Sequence, residues 1–220
     1  MDSKAWLSLC VLHAVASMLV WWAGDAWAWE LTWRADTWLS RPWTLWTTAW
    51  VHINTPHLIG NQLAVGALAA AAWLMRPHAG ASLAWLVAWP LLPPMLLWWP
   101  QVGYYVGLSG LVHAAVAVLA MHLVLGEMCI PKARRWGWML LTGLAAKLLI
   151  ERAWLWPVVW HDAADMSIVQ VAHLSGVALG AVLALGLLRR RSTGWWSPTR
   201  LAPASGADTV AEKSRTVDKK

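Results

Sequence analysis

The sequence predicts an all-α membrane protein folded as a bundle of six transmembrane helices. Three observations carry that expectation. Hydrophobic residues make up 59% of the 220 and charged residues 13%, against about a quarter charged in a soluble domain. No Asp, Glu, Lys or Arg occurs between Pro77 and Gly126, a run longer than any soluble core helix needs. Apolar runs recur at 5–24, 56–75, 80–99, 109–126, 136–156 and 166–188, each near the ~20 residues that cross a bilayer core.

The first run lacks a small-residue cleavage site and reads as a helix that stays in the membrane. The second opens at Thr55-Pro56, which reads as an N-cap followed by the first helical position. The third is apolar throughout. The fourth is short and opens at Ser109, just after Gly107. The fifth contains Lys147, Glu151 and Arg152. Lys147 and Glu151 are one turn apart, and an ion pair would reduce the cost of two charges in a membrane helix. In the sixth, Gly176, Gly180 and Ala184 form a small-residue stripe that lets another helix approach.

Basic residues orient the bundle. Arg76, then Lys132, Arg134 and Arg135, then Arg189, Arg190 and Arg191 follow alternate spans. The positive-inside rule puts those loops and both termini in the cytoplasm. The 25–43 and 157–165 loops then face outward. Residues 1–190 read as one helical core and 191–220 as a polar, basic, disordered tail. The net charge of +6 suits contact with anionic lipid in the bilayer rather than nucleic acid. Cys10 and Cys129 would lie too far apart for a disulfide. Trp supplies 22 residues and Phe none; Trp suits the interfacial belts, and no function is read from the excess.

Polar residues gather at one end of this bundle. His57 and Asn61 are four apart and share a helix face at the outer end of span two, with His52 in the preceding loop. Gly107 can break the chain before span four, and Gly110 lets a helix come close. Ser109 would stand at the positive end of its helix. His173 lies seven residues into span six, roughly 10 Å deep. Spans two, four and six run in the same direction, so these side chains share one leaflet. A hydroxyl, a base and polar donors together make up what acyl transfer requires.

Three motifs carry a resemblance: His52, His57 and Asn61 in span two; Gly107-Leu-Ser109-Gly110 opening span four; and His173-Leu-Ser-Gly176 in span six. In that order they resemble the rhomboid family of intramembrane serine proteases. The stretches LVH after GLSG, KLLIE at 147–151 and AHLSG look like the rhombosortase subgroup, which is associated with C-terminal Gly-Gly sorting signals followed by a membrane helix and a basic end. The resemblance implies a Ser–His dyad that cleaves membrane-protein substrates in or near a transmembrane segment, with no cofactor. It implies Ser109 as nucleophile and His173 as base. The Ser109 N–H, His57 and Asn61 would bind the oxyanion, and His52 would support the outer loop. It also implies a bacterial inner membrane with the site opening toward the periplasm.

Two positions depart from the family pattern. His113 stands where many members have a Tyr against which the base stacks. A Trp-Arg pair common in the first outer loop could be Trp33–Arg34, at long spacing, or Trp43–Thr44, without the Arg. No acid lies in span four or six, and Asp165 is a poor third member two turns from His173. His13, His78, His122 and His161 read as packing or loop residues. Two other readings stay open: a rhomboid pseudoprotease that binds clients without cutting, and a metal- or haem-binding protein built on His52, His57, His113 and His173. No carboxylate or Cys joins those four histidines in the sequence pattern, so no metal ligand set is expected.

Overall fold

The computed structural model describes residues 3–128 and 130–192, with the side chains of 164 and 188–192 left out. Cys129, the side chains of Arg189, Arg190 and Arg191, and the expected tail beyond Ser192 lie outside the described residues. Of the described residues, 72% are helical. The longer helices are α1 (Ser3–Ala23), α4 (Thr55–Met75), α5 (Ala79–Met95), α6 (Ser109–Val124), α7 (Ala133–Glu151) and α8 (Gln170–Ser192). Two short helices, α2 (Asp25–Leu31) and α3 (Thr44–Thr47), lie in the first long connection.

Four helical segments are long and apolar enough to cross a membrane: Ser3–Ala23, Thr55–Met75, Ala79–Trp98 and Gln170–Leu187. Their outward faces expose Val11, Leu19, Leu63, Trp73 and Val182, as a lipid-facing surface would. The expectation of six spans is therefore met in part. Helix α6 is apolar but has 16 residues, about 24 Å at helical rise. Helix α7 carries Arg134, Arg135, Lys147 and Glu151, which lower its apolarity.

Helix α6 is short because it is internal. Ten of its 16 residues are buried, the pattern of a helix surrounded by others. It packs on α8, α7, α5 and α4. The α6–α8 contact is the closest, since a Cβ on Gly176 would meet the Gly110 carbonyl oxygen and one on Gly180 the Ala114 carbonyl oxygen. Ala184 continues that stripe, fully buried. Trp6 and Trp85 pack in the core with their rings tilted, at 4.6 Å between centroids.

Several boundaries differ from the sequence reading. The cap of α4 is Asn54, whose side chain accepts from the His57 N–H at 3.0 Å. Thr55 is therefore the first helical residue rather than the cap. The carbonyl arm of Asn54 reaches the third helical N–H, which takes over the capping role. The sixth apolar run is not helical from residue 166. Met166–Ile168 (β4) pairs antiparallel with Val159–His161 (β3), and α8 begins after it. A second small ladder pairs Trp33–Arg34 (β1) with Tyr104–Tyr105 (β2). Neither was expected from an all-α reading. Helix α7 stops at Glu151 rather than residue 156, because Arg152 turns left-handed at φ 50 and its N–H returns to Leu148 O.

Candidate active site

Two loops set the position of Ser109. The Thr48 hydroxyl accepts from Trp33 N–H at 3.1 Å and donates to the Tyr105 carbonyl. The Thr48 carbonyl accepts from Gly107 N–H at 3.0 Å. Gly107 adopts φ +102, and a Cβ there would collide with the His57 ring. Glycine is required on both counts. The chain turns at this point and starts α6 with Ser109.

The Ser109 Oγ lies 3.1 Å from His173 Nε2. His173 stands in the first turn of α8, as the fourth residue of a helix that starts at Gln170. It is therefore at the N-terminal end of its helix, since residues 166–168 form β4. The close α6–α8 contact directly below, Gly176 on Gly110, fixes the separation of the two side chains.

Ring partners assign the tautomers. His113 stacks on His173 at 4.2 Å and 18°, the place the sequence offered for a Tyr. Its Nδ1 is 2.7 Å from the Ser109 carbonyl, an acceptor only, so Nδ1 carries the proton. His173 Nδ1 is 2.9 and 3.1 Å from the two carboxylate oxygens of Glu151. A carboxylate accepts, so His173 Nδ1–H donates and Nε2 offers its lone pair to the Ser109 hydroxyl.

Glu151 adds a carboxylate beside the Ser109–His173 pair. The Lys147–Glu151 ion pair is present at 2.6 Å, but the carboxylate also faces the base. Spans four and six hold no acid, and this carboxylate comes from the end of α7, where the sequence pattern points only to an ion pair with Lys147. The available signal was depth. Glu151 stands five residues before the end of the fifth apolar run, and His173 seven after the start of the sixth.

The other polar residues surround the same space. A cavity of about 430 Å³ is lined by Ser109, His173, His57, Asn61, His113 and Lys147 on its polar side. Gly60, Ala64, Val112, Val158 and Met166 are among its apolar walls. His57 Nδ1 is buried without a hydrogen-bond partner among the described residues. Asn61 Nδ2 donates to the His57 carbonyl at 3.1 Å, which leaves one of its two hydrogens over. Beneath Ser109, Tyr105 is buried and its hydroxyl accepts from Gly110 N–H at 3.3 Å. Burial pushes the Tyr105 phenol above its ordinary range, so it stays neutral. No sequence signal singled it out.

His52 packs edge-on against His57 at 4.9 Å, and its Nδ1 donates to Trp50 O at 3.0 Å. Burial pushes its imidazole down to about 4, against a smaller opposing effect of that hydrogen bond. His52 therefore braces the loop as a neutral ring. Trp33 is fully buried; Arg34 lies over Trp29 and 3.5 Å from Asp36, away from the cavity lining. Trp43 Nε1 donates to Glu30 O at 3.1 Å.

The remaining histidines have local roles. His13 Nδ1 accepts from Trp50 Nε1 at 3.2 Å, His78 accepts from Gly80 N–H at the start of α5, and His122 Nδ1 donates to Val118 O. His161 is exposed on β3. Among the described residues, no three His, Cys, Asp or Glu side chains are placed to hold a metal ion. No protein-family model matches the chain, and no curated protein matches it.

Proposed function

We propose that the protein is an intramembrane serine endopeptidase of rhomboid type, cleaving a peptide bond in or near a transmembrane segment of a membrane-protein substrate. The observation that carries this reading is the 3.1 Å approach of Ser109 Oγ to His173 Nε2 at the wall of a largely apolar cavity. A serine and a histidine alone in a membrane helix serve packing. Here each is held in one orientation, and the lone pair of the base points at the hydroxyl.

The chemistry follows from these positions. Ser109 Oγ attacks the carbonyl carbon while its proton passes to His173 Nε2. The oxyanion forms beside the Ser109 N–H, which has no intrahelical partner at the first position of α6, and beside His57 and Asn61. The tetrahedral species collapses, the C–N bond breaks, and His173 returns the proton to the leaving amine. Water or another amine then releases the acyl group by the reverse steps.

The six-span bundle, with α6 and α7 crossing beside the four long apolar helices, belongs to the same proposal. So does a cavity open to the outer, periplasmic side of a bacterial inner membrane. A substrate helix must unwind to reach Ser109, and glycine unwinds most readily. That favours a Gly-Gly signal before a membrane helix and a basic end. The test is a single-span reporter carrying Gly-Gly at its outer boundary, reconstituted with the enzyme in liposomes. Wild type cleaves it and Ser109→Ala does not; cleavage by Ser109→Ala would sink the assignment.

A further inference from the structure

We propose that Glu151 is a positioning residue for this reaction: its carboxylate holds the His173 ring, and Lys147 is the counter-ion that keeps that carboxylate in place. The inference rests on the serine-protease reading of the same site and replaces a two-residue mechanism with Ser109–His173–Glu151.

Three observations carry it. The first is geometry. Both Glu151 oxygens lie within hydrogen-bond distance of His173 Nδ1, at 2.9 and 3.1 Å. A ring held this way cannot rotate to present the wrong nitrogen. As Nε2 takes the proton from Ser109, the positive charge on the ring develops against a carboxylate already there. The proton on Nδ1 stays where it is.

Burial is the second. The side chains of His173 and Glu151 are 7% and 12% exposed. Away from water, an uncompensated carboxylate is costly. Lys147 Nζ, 2.6 Å from Oε1, supplies the compensating charge from the cavity rim. The groups facing His173 are thus Glu151 and Lys147 from α7, Ser109 and His113 from α6, and His57 from α4. Glu151 is the one carboxylate hydrogen-bonded to it among the described residues.

The third is placement. Glu151 is the last residue of α7. A negative charge at a helix C-terminus is unfavourable, because it meets the negative end of the helix dipole. An ion pair serving only to neutralise Lys147 would be cheaper one or two turns earlier. The terminal position is the one that brings the carboxylate level with the first turn of α8, where His173 stands. The left-handed turn at Arg152 ends the helix there.

The test uses full-length protein in detergent and a fluorophosphonate probe, which reports serine activation without a known substrate. Wild type, Ser109→Ala, Glu151→Gln and Glu151→Asp are compared for labelling rate, final stoichiometry and unfolding temperature. Glu151→Gln keeps the size of the side chain and loses its charge. It is expected to reach wild-type stoichiometry about 10²–10⁴ times more slowly, at an unchanged unfolding temperature, with Glu151→Asp faster than Glu151→Gln. Labelling of Glu151→Gln within about threefold of wild type, with Ser109→Ala unlabelled, would overturn the role of Glu151 and leave the serine protease intact. A lower unfolding temperature and lower stoichiometry at the wild-type rate would also overturn it, in favour of a structural ion pair. Failure of wild type to label would remove the protease reading itself.

Discussion

The backbone of Gly176 rests on the carbonyl oxygen of Gly110, with no room for a Cβ between them. One residue before Gly110 is Ser109, and one turn before Gly176 is His173. The contact between two glycines therefore sets the distance between a hydroxyl and an imidazole. Helix packing and chemistry are the same constraint at this point of the fold.

Gly176→Ala is accordingly expected to damage both. The new methyl meets backbone on α6, which cannot swing aside as a flexible side chain would. Overpacking of this kind costs about 1–3 kcal/mol. The variant should unfold at lower temperature in detergent and lose serine labelling. Gly143→Ala, where nothing lies within 4 Å, should do neither.

In the proposed mechanism His57 and Asn61 bind the oxyanion. Replacing either by Ala should lower turnover of a membrane-embedded reporter about 10²–10³-fold, with little change in KM. A rise in KM at constant turnover would place them in substrate binding instead.

His113 should be replaceable by another ring. It stacks on His173 at 4.2 Å, and such a contact is worth about 0.5–1.5 kcal/mol. His113→Tyr should retain most activity, and His113→Ala should lose about tenfold or less. A complete loss in His113→Tyr would mean that the imidazole itself is needed.

His52 makes stability depend on pH. Its folded value is about 4 against an ordinary value of 6.5, because it is buried. Between those values the unfolded chain binds more protons than the folded one. The contribution of His52 is complete above about pH 6.5 and is lost as pH falls toward about 4. Unfolding temperatures in detergent at pH 7.5 and 5 should differ less in His52→Phe than in wild type. Equal differences would show that His52 does not drive the acid sensitivity.

Much of the site was legible in the sequence, and for a physical reason. Polar side chains are scarce in membrane helices, so Ser109, His173, His57 and Asn61 stood out against an apolar background, and their helix direction gave their depth. The glycines were legible too, since Gly107, Gly110 and Gly176 meet neighbours that only glycine tolerates. What escaped were facts of pairing between distant segments. Glu151 satisfied a local ion pair with Lys147, and that sufficient explanation concealed its second partner 22 residues away. Met166–Ile168 continues the apolar run of the helix it precedes, so hydropathy merged the strand with α8 and counted His173 seven residues into a helix that in fact begins three residues before it. Span counting met a similar limit: α6 is short because it is surrounded, and α7 is polar where it meets the cavity.

The most direct test of the central claim is fluorophosphonate labelling of purified, folded protein, comparing wild type with Ser109→Ala and His173→Ala. The account predicts stoichiometric labelling of wild type at Ser109 and none in either variant. Equal labelling of wild type and His173→Ala would contradict it, because Ser109 would then be reactive without the base that lies 3.1 Å away.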